Sequence, residues 1–231
     1  MGESIPKPSV LLTLLEARAG LELGAHILSR HVYEKRLPKG KGRPVLVIPG
    51  FGADDLSTLV LRRSLNRLGY QSFGWGMGRN MGSTAKNREH LHAELDRLYS
   101  ASGQKVSVIG WSLGGIYARE LGRNYPQYVH SVFSMGSPFG GDPKANILHD
   151  IFHRLSGAKF SKEDQAAFDR RKVPPGVPCT AIHSKTDGVV AWQCSLEQEA
   201  ESTKNIEVFS SHCGLGFNPL VISVLAKELQ Y

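Results

Sequence analysis

The stretch Lys105-Val106-Ser107-Val108-Ile109-Gly110-Trp111-Ser112-Leu113-Gly114-Gly115 decides the reading of this chain. Lys105 to Ile109 is a short β-prone run. Gly110-Trp111-Ser112-Leu113-Gly114 follows at G-x-S-x-G spacing, which sets a serine on a sharp turn between strand and helix. The flanking glycines remove Cβ atoms that would collide in such a turn, so the hydroxyl projects above the sheet edge. Leu113 to Asn124 then reads as a helix that stops before Pro126. The five-residue pattern is weak by itself. With 25 Gly and 22 Ser in 231 residues, it arises by chance roughly one time in four. The strand before it and the helix after it supply the specificity.

The same rhythm extends outward in both directions. Pro44-Val45-Leu46-Val47-Ile48 is an apolar run suited to a strand buried on both faces. Asp54 and Asp55 are expected to open a helix through Leu68, with acids at its positive end. Tyr70 to Trp75 reads as a strand, and Ser83 or Thr84 as the cap of a helix reaching Tyr99. Tyr128 to Met135, Val177 to His183 and Ile206 to Phe209 read as further strands, and Pro219 to Leu229 as the last helix. Strands alternating with helices predict an α/β fold, a mostly parallel sheet of about six strands with helices on both faces. Residues 137–176 break the rhythm. They hold expected helices near Ile147 to Leu155 and Lys162 to Arg171, and read as a short helical cap or lid inserted into a single domain spanning 43–231.

Residues 1–42 precede that domain. Residues 9–36 read as helix, with Leu11, Leu12, Leu15, Ala19, Leu23, Ile27 and Leu28 at three- and four-residue spacing. The segment is basic, with seven Lys/Arg against four Glu. It fits an amphipathic membrane-surface helix, but the preferred expectation is a helix docked on the body through its apolar stripe. Pro38-Lys39-Gly40-Lys41-Gly42 separates it from the domain.

Composition bounds the function classes. Apolar residues make up 41%, charged residues 21% and aromatics 8%, the profile of a globular domain. No apolar run approaches the ~20 residues of a membrane span. Glu16 interrupts the apolar stretch Val10 to Leu15, and the amino terminus lacks a basic n-region, so a secretory signal is not expected and a cytoplasmic location is. Cys179, Cys194 and Cys213 do not form a disulfide framework. The formal charge of +7 is spread along the chain without long basic runs, and no nucleic-acid-binding module is recognisable, so no nucleic-acid partner is expected.

A serine on such a turn predicts an acid after a later strand and a histidine after the last one. Asp187 follows the run Cys179 to His183, in Ser184-Lys185-Thr186-Asp187-Gly188. His212 follows Val208-Phe209, just before the final helix. Ser112, Asp187 and His212 each close a predicted strand, in the order that the pattern requires. Asp187-Gly188 also fits an ordinary turn, and Asp142 and Asp150 compete for the acid role from within the insertion. His183 lies inside a strand. His149 and His153, four apart, would share a helix face, but no third ligand accompanies them, so no metal or cofactor is expected.

These residues, from about Arg43 to Leu229, resemble the serine esterases and lipases of the α/β-hydrolase superfamily, near its compact bacterial lipases. The resemblance implies a Ser112–His212–Asp187 triad, and an oxyanion hole formed by the backbone N–H groups of Phe51 and Leu113. Pro49-Gly50 stands where many lipases have His-Gly. Gly136-Ser137-Pro138-Phe139-Gly140 resembles the Gly-x-Pro-His-x-Gly turn of lipases, with Phe139 replacing the histidine. It implies a carboxylic-ester hydrolase working through an acyl-enzyme, on a small-molecule or lipid ester. An acyltransferase or thioesterase with the same triad, or a non-catalytic binding protein on the same fold, are the alternatives. For the substrate pocket, Arg79 in the glycine-rich Trp75-Gly76-Met77-Gly78-Arg79-Asn80 would meet a carboxylate or brace a loop. Phe51, Phe139, Trp192, Leu215 and Phe217 would make an apolar acyl pocket.

Overall fold

Val45 and Val47 face one way along the first strand and Leu46 and Ile48 the other, and all four are fully buried. That period of two makes β1 (Pro44–Ile48) a central strand with helices on both sides. The computed structural model describes residues 5–82, 85–141, 145, 166 and 169–231. The further strands are β2 (Gln71–Phe73), β3 (Val106–Trp111), β4 (Val129–Met135), β5 (Cys179–His183) and β6 (Thr203–Glu207). They form one sheet in the order β2-β1-β3-β4-β5-β6, with every pairing parallel.

The helices of the body are α3 (Leu59–Arg67), α4 (Ala85–Ser102), α5 (Leu113–Asn124) and α6 (Pro219–Glu228). On one face of the sheet, Leu61 and Leu65 of α3 and Val221, Ile222 and Leu225 of α6 pack on Val45, Val47 and Ile109. On the other face, Leu91, Leu95 and Leu98 of α4 and Tyr117 and Leu121 of α5 pack on Leu46, Ile48 and Val108. Each such leucine contributes about 1.5–3 kcal/mol by leaving water. The chain leaves β1 for β2 and returns to β3 on β1's other side, so the order of strand addition reverses between β1 and β3. That crevice, at the strands' carboxyl ends, is where an open α/β sheet binds ligands.

Two expected elements shift. The Asp54/Asp55 helix begins only at Leu59, because the Asp55 carboxylate accepts from the backbone N–H groups of Trp75 (2.9 Å) and Gly76 (3.0 Å) instead of capping. The last strand is Thr203–Glu207 rather than Ile206 to Phe209. As an edge strand it is half solvated, so it needs no apolar run, and Phe209 beyond it is exposed. The expected cap helix near Ile147 to Leu155, with His149, Asp150 and His153, lies outside the described residues, as do Asp142, Ser83 and Thr84; of the expected helix Lys162 to Arg171, residues 166 and 169–171 are described and are helical.

The amino-terminal arm is helical, as α1 (Val10–Leu14), a 3-10 turn (Leu15–Arg18), α2 (Ala19–Tyr33) and a second 3-10 turn (Glu34–Arg36). Ser9 caps it, accepting from the Leu12 N–H at 3.3 Å. The expected docking through an apolar stripe is met only in part, with Leu12, Ala19 and Leu23 half-buried. Leu11, Leu15, Ile27 and Leu28 are exposed, while His26 and Glu34 are buried. The inward contacts are largely polar: the Arg67 guanidinium donates to both Glu34 oxygens at 2.7 and 2.8 Å. Helical spacing shows that a stripe exists but not which side of it meets the body.

Candidate active site

Ser112 is the entire turn between β3 and α5. Its φ of 54° and ψ of −120° make it the only non-glycine residue with positive φ among those described. An L-residue pays for that conformation in strain. The surroundings fix it. The Ser112 N–H donates to the Met135 carbonyl of β4 at 2.8 Å, and Gly115 N–H donates to the Ser112 carbonyl at 3.0 Å. A Cβ at Gly110 would overlap the Gly114 carbonyl, and one at Gly114 would overlap the Ile48 carbonyl. Both glycines of the pattern are therefore sterically required. Ser112 is only 3% exposed, and its hydroxyl has no hydrogen-bond partner. A buried unpaired hydroxyl costs about 1–3 kcal/mol. Ser112 thus combines a strained backbone with a buried, unpaired hydroxyl, an exception that asks for an explanation.

Asp187 and His212 meet in the loops after β5 and β6. His212 Nδ1 lies 2.7 Å from Asp187 Oδ2. Asp187 Oδ1 accepts from the N–H groups of Val189 and Val190, both at 2.8 Å. With the carboxylate acting only as acceptor, Nδ1 is the donor, and Nε2 of the neutral ring is left to accept. Burial pushes the imidazole pKa down. The charge and hydrogen bond of Asp187, joined by the charge of Glu16, outweigh burial, so the pKa lies above its ordinary value. Trp111, next to Ser112, donates its indole N–H to the His212 carbonyl at 3.1 Å. That bond ties the serine turn to the histidine loop. No hydrogen bond joins Ser112 to His212, and such contacts often tighten only with substrate bound.

The expected oxyanion donors flank the serine. A Cβ at Gly50 would come 3.2 Å from Ser112 Cβ, so the loop carrying Phe51 passes beside Ser112. Leu113 opens α5, so its N–H has no helical acceptor behind it. Asn80 holds the Phe51 loop. Its side-chain amide donates to the Pro49 carbonyl (2.8 Å), its N–H to the Ala53 carbonyl (2.8 Å), and its carbonyl accepts from Gly52 N–H (2.7 Å). Asn80 is fully buried. Its neighbour Arg79, the expected brace, is exposed and makes no hydrogen bond or ion pair among the described residues.

Three of the residues proposed for an acyl pocket sit in different surroundings. Phe139 is fully buried beneath the Arg119 guanidinium, whose carbon lies 3.8 Å from the ring centroid. Leu215 is fully buried in the core beside α6. Trp192 stacks on His183 with centroids 5.8 Å apart. Phe139 and Leu215 present no surface to a substrate in this structure.

Sequence reasoning missed the carboxylates of the arm. Glu16 Oε1 accepts from the N–H groups of Gly188 (2.8 Å) and His212 (2.9 Å), and Oε2 from that of Cys213 (2.8 Å). One side chain thus bridges the loop of the acid and the loop of the histidine. Glu22 accepts from Ser211 N–H (2.7 Å), Ser210 Oγ (2.8 Å) and Asn218 Nδ2 (3.0 Å). Arg18 donates to the Thr186 carbonyl (2.7 Å) and hydroxyl (2.8 Å). A Cβ at Gly188 would overlap the Leu12 carbonyl, and one at Gly214 the Glu22 carboxylate, so the arm lies directly on both loops. The only sequence signal was an acid breaking a leucine run.

No protein-family model matches this sequence, and no curated protein is similar to it in sequence. Solved structures are similar in fold. A lipase of Bacillus licheniformis in mature form superposes with a TM-score of 0.62 at 15% identity, over 83% of this chain and 94% of that one. A monoacylglycerol lipase of Paleococcus ferrophilus gives 0.55 at 14% identity, over 83% and 96%. The thioesterase domain of the curacin biosynthetic pathway gives 0.51 at 12% identity, over 84% and 93%. With the sheet order and the strained serine turn, these likenesses define the fold as that of the α/β-hydrolases.

Proposed function

We propose that this protein is a carboxylic-ester hydrolase, an esterase or lipase, with Ser112 as nucleophile, His212 as base and Asp187 as its orienting acid. The observation that carries this reading is the strained, buried Ser112 with its hydroxyl unpaired, at the sheet edge shared with the His212–Asp187 pair. His212 Nε2 takes the Ser112 proton as Oγ attacks the ester carbonyl carbon. The carbonyl π electrons move to oxygen, and the N–H groups of Phe51 and Leu113 stabilise that oxyanion, worth roughly 3–4 kcal/mol per donor. The C–O bond to the alcohol breaks as His212 returns the proton to the leaving oxygen. Water, deprotonated by His212, then attacks the acyl-enzyme and releases the acid and Ser112.

The test is hydrolysis of p-nitrophenyl esters from acetate to palmitate, wild type beside Ser112→Ala. The expected result is turnover that falls by roughly 10⁴-fold or more in the variant, with unchanged circular dichroism. Equal turnover by both proteins would remove the reading. No turnover, with fluorophosphonate labelling of Ser112, would move it to the acyltransferase or thioesterase alternative.

A further inference from the structure

The arm has two faces of opposite chemistry. Its inward face carries Glu16, Glu22 and Glu34, every acid among its described residues, and each is paired. Its outward face carries Val10, Leu14, Leu21, Leu28 and Val32, which recur at intervals of four and seven and so form one stripe. Leu21 is 77% and Leu28 84% exposed. Eight of the fourteen large apolar side chains exposed among the described residues lie between Val10 and Val32. The exposed charged residues of the arm and its connector are Lys7, Lys35, Arg36, Lys39 and Lys41, all cationic. The outward surface is therefore apolar and basic, with no acid on it among the described residues.

We propose that this face docks on an anionic lipid surface, with the leucine stripe at the headgroup–acyl boundary and the flanking cations on lipid phosphates. Charge selects this occupant. A second copy would bring the same cations against one another with no acid among the arm's described outward residues to meet them, whereas an anionic bilayer offers apolar depth and opposite charge together. None of the described helices is long and apolar enough to cross a membrane, so the arm lies along the surface. The proposal stands on the arm alone and holds whether or not Ser112 is catalytic.

The test uses the full chain in flotation with vesicles of phosphatidylcholine alone or mixed with phosphatidylglycerol. The wild type is expected to bind the anionic vesicles at least roughly tenfold more tightly than the neutral ones, and salt should weaken that binding. Leu21→Glu/Leu28→Glu should reduce anionic binding at least roughly tenfold. Lys35→Glu/Arg36→Glu/Lys41→Glu should abolish the preference for phosphatidylglycerol. All of these side chains are exposed, so circular dichroism and Tm should stay at wild-type values. A wild type that floats with neither vesicle overturns the proposal. So does binding that Leu21→Glu/Leu28→Glu leaves unchanged. A dimer by light scattering that this variant dissociates would give the face to a second copy instead.

Discussion

Ser112 and His212 reach the same sheet edge by different means. Ser112 is held by its own neighbourhood, between Gly110 and Gly114, with β4 accepting its N–H and buried aliphatics on both sides of β3. His212 is held from a distance. Its ring rests on Asp187, its carbonyl on Trp111, and its backbone N–H on Glu16, 196 residues earlier. The proposed nucleophile is a product of local geometry and core packing. The His212–Asp187 pair is assembled by polar contacts, most of them long-range, and in part by a segment that precedes the domain. Perturbations should therefore separate the two halves.

The largest expected effect beyond Ser112 itself is at Asp187. Asp187→Asn swaps an acceptor for an amide of the same shape and favours the wrong His212 tautomer. It should lower kcat by roughly 10⁴-fold, while fluorophosphonate reaction at Ser112 slows but the strained turn persists. Steady-state kinetics beside thermal unfolding checks this. A kcat within tenfold of wild type would take the acid role away from Asp187.

Glu16 comes next. Glu16→Ala removes an acceptor from three backbone N–H groups and frees the two loops from each other. Displacing a catalytic group by about 1 Å can cost 10²-fold, so kcat should fall roughly 10- to 100-fold. Glu16→Gln separates position from charge, because its Oε1 can still accept from Gly188 and His212. The charged groups facing His212 are Asp187 and Glu16, with Glu22 and Arg18 on the adjoining loop contacts. Removing the Glu16 charge withdraws one of the upward pulls on the imidazole. Catalysis needs that ring neutral, so the acid limb of the kcat/KM profile should move to lower pH. A purely structural Glu16 would lower activity at every pH without moving the limb.

What the sequence disclosed divides along the same line. Apolar runs announced β1, β3 and β4, because central strands must be apolar on both faces. The placement of Ser112, Asp187 and His212 after strands was readable because strand ends and chain order are properties of the sequence. The position of β6 was misread because an edge strand can be Thr-Lys-Asn. The arm's docking side was read only in part because leucine periodicity is symmetric with respect to which face is buried. Glu16, Glu22 and Arg18 were invisible as clamps because a carboxylate on backbone N–H groups leaves no pattern at the accepting end. Asp55 carried a cap signal and used its carboxylate on a different turn.

The smallest expected effect is at Asn80, and it tests whether the nucleophile's half is as self-contained as its packing implies. Asn80 touches neither Ser112 nor His212 by any hydrogen bond. It binds the Pro49 carbonyl through its side chain and brackets residues 52–53 through its backbone. Asn80→Ala keeps the backbone bonds and leaves the Pro49 carbonyl without this donor, which should cost about 1–3 kcal/mol of stability. If the Phe51 N–H serves the oxyanion, loosening its loop weakens an interaction made only in the transition state. Then kcat should fall roughly tenfold with KM unchanged, less than the 10²–10³-fold typical of deleting a donor outright. The His212 limb of the pH profile should not move, because Asn80 faces none of the groups around the imidazole. A fall in Tm without a fall in kcat would detach the Pro49–Phe51 loop from catalysis. It would leave Leu113, which the turn itself positions, as the remaining expected oxyanion donor.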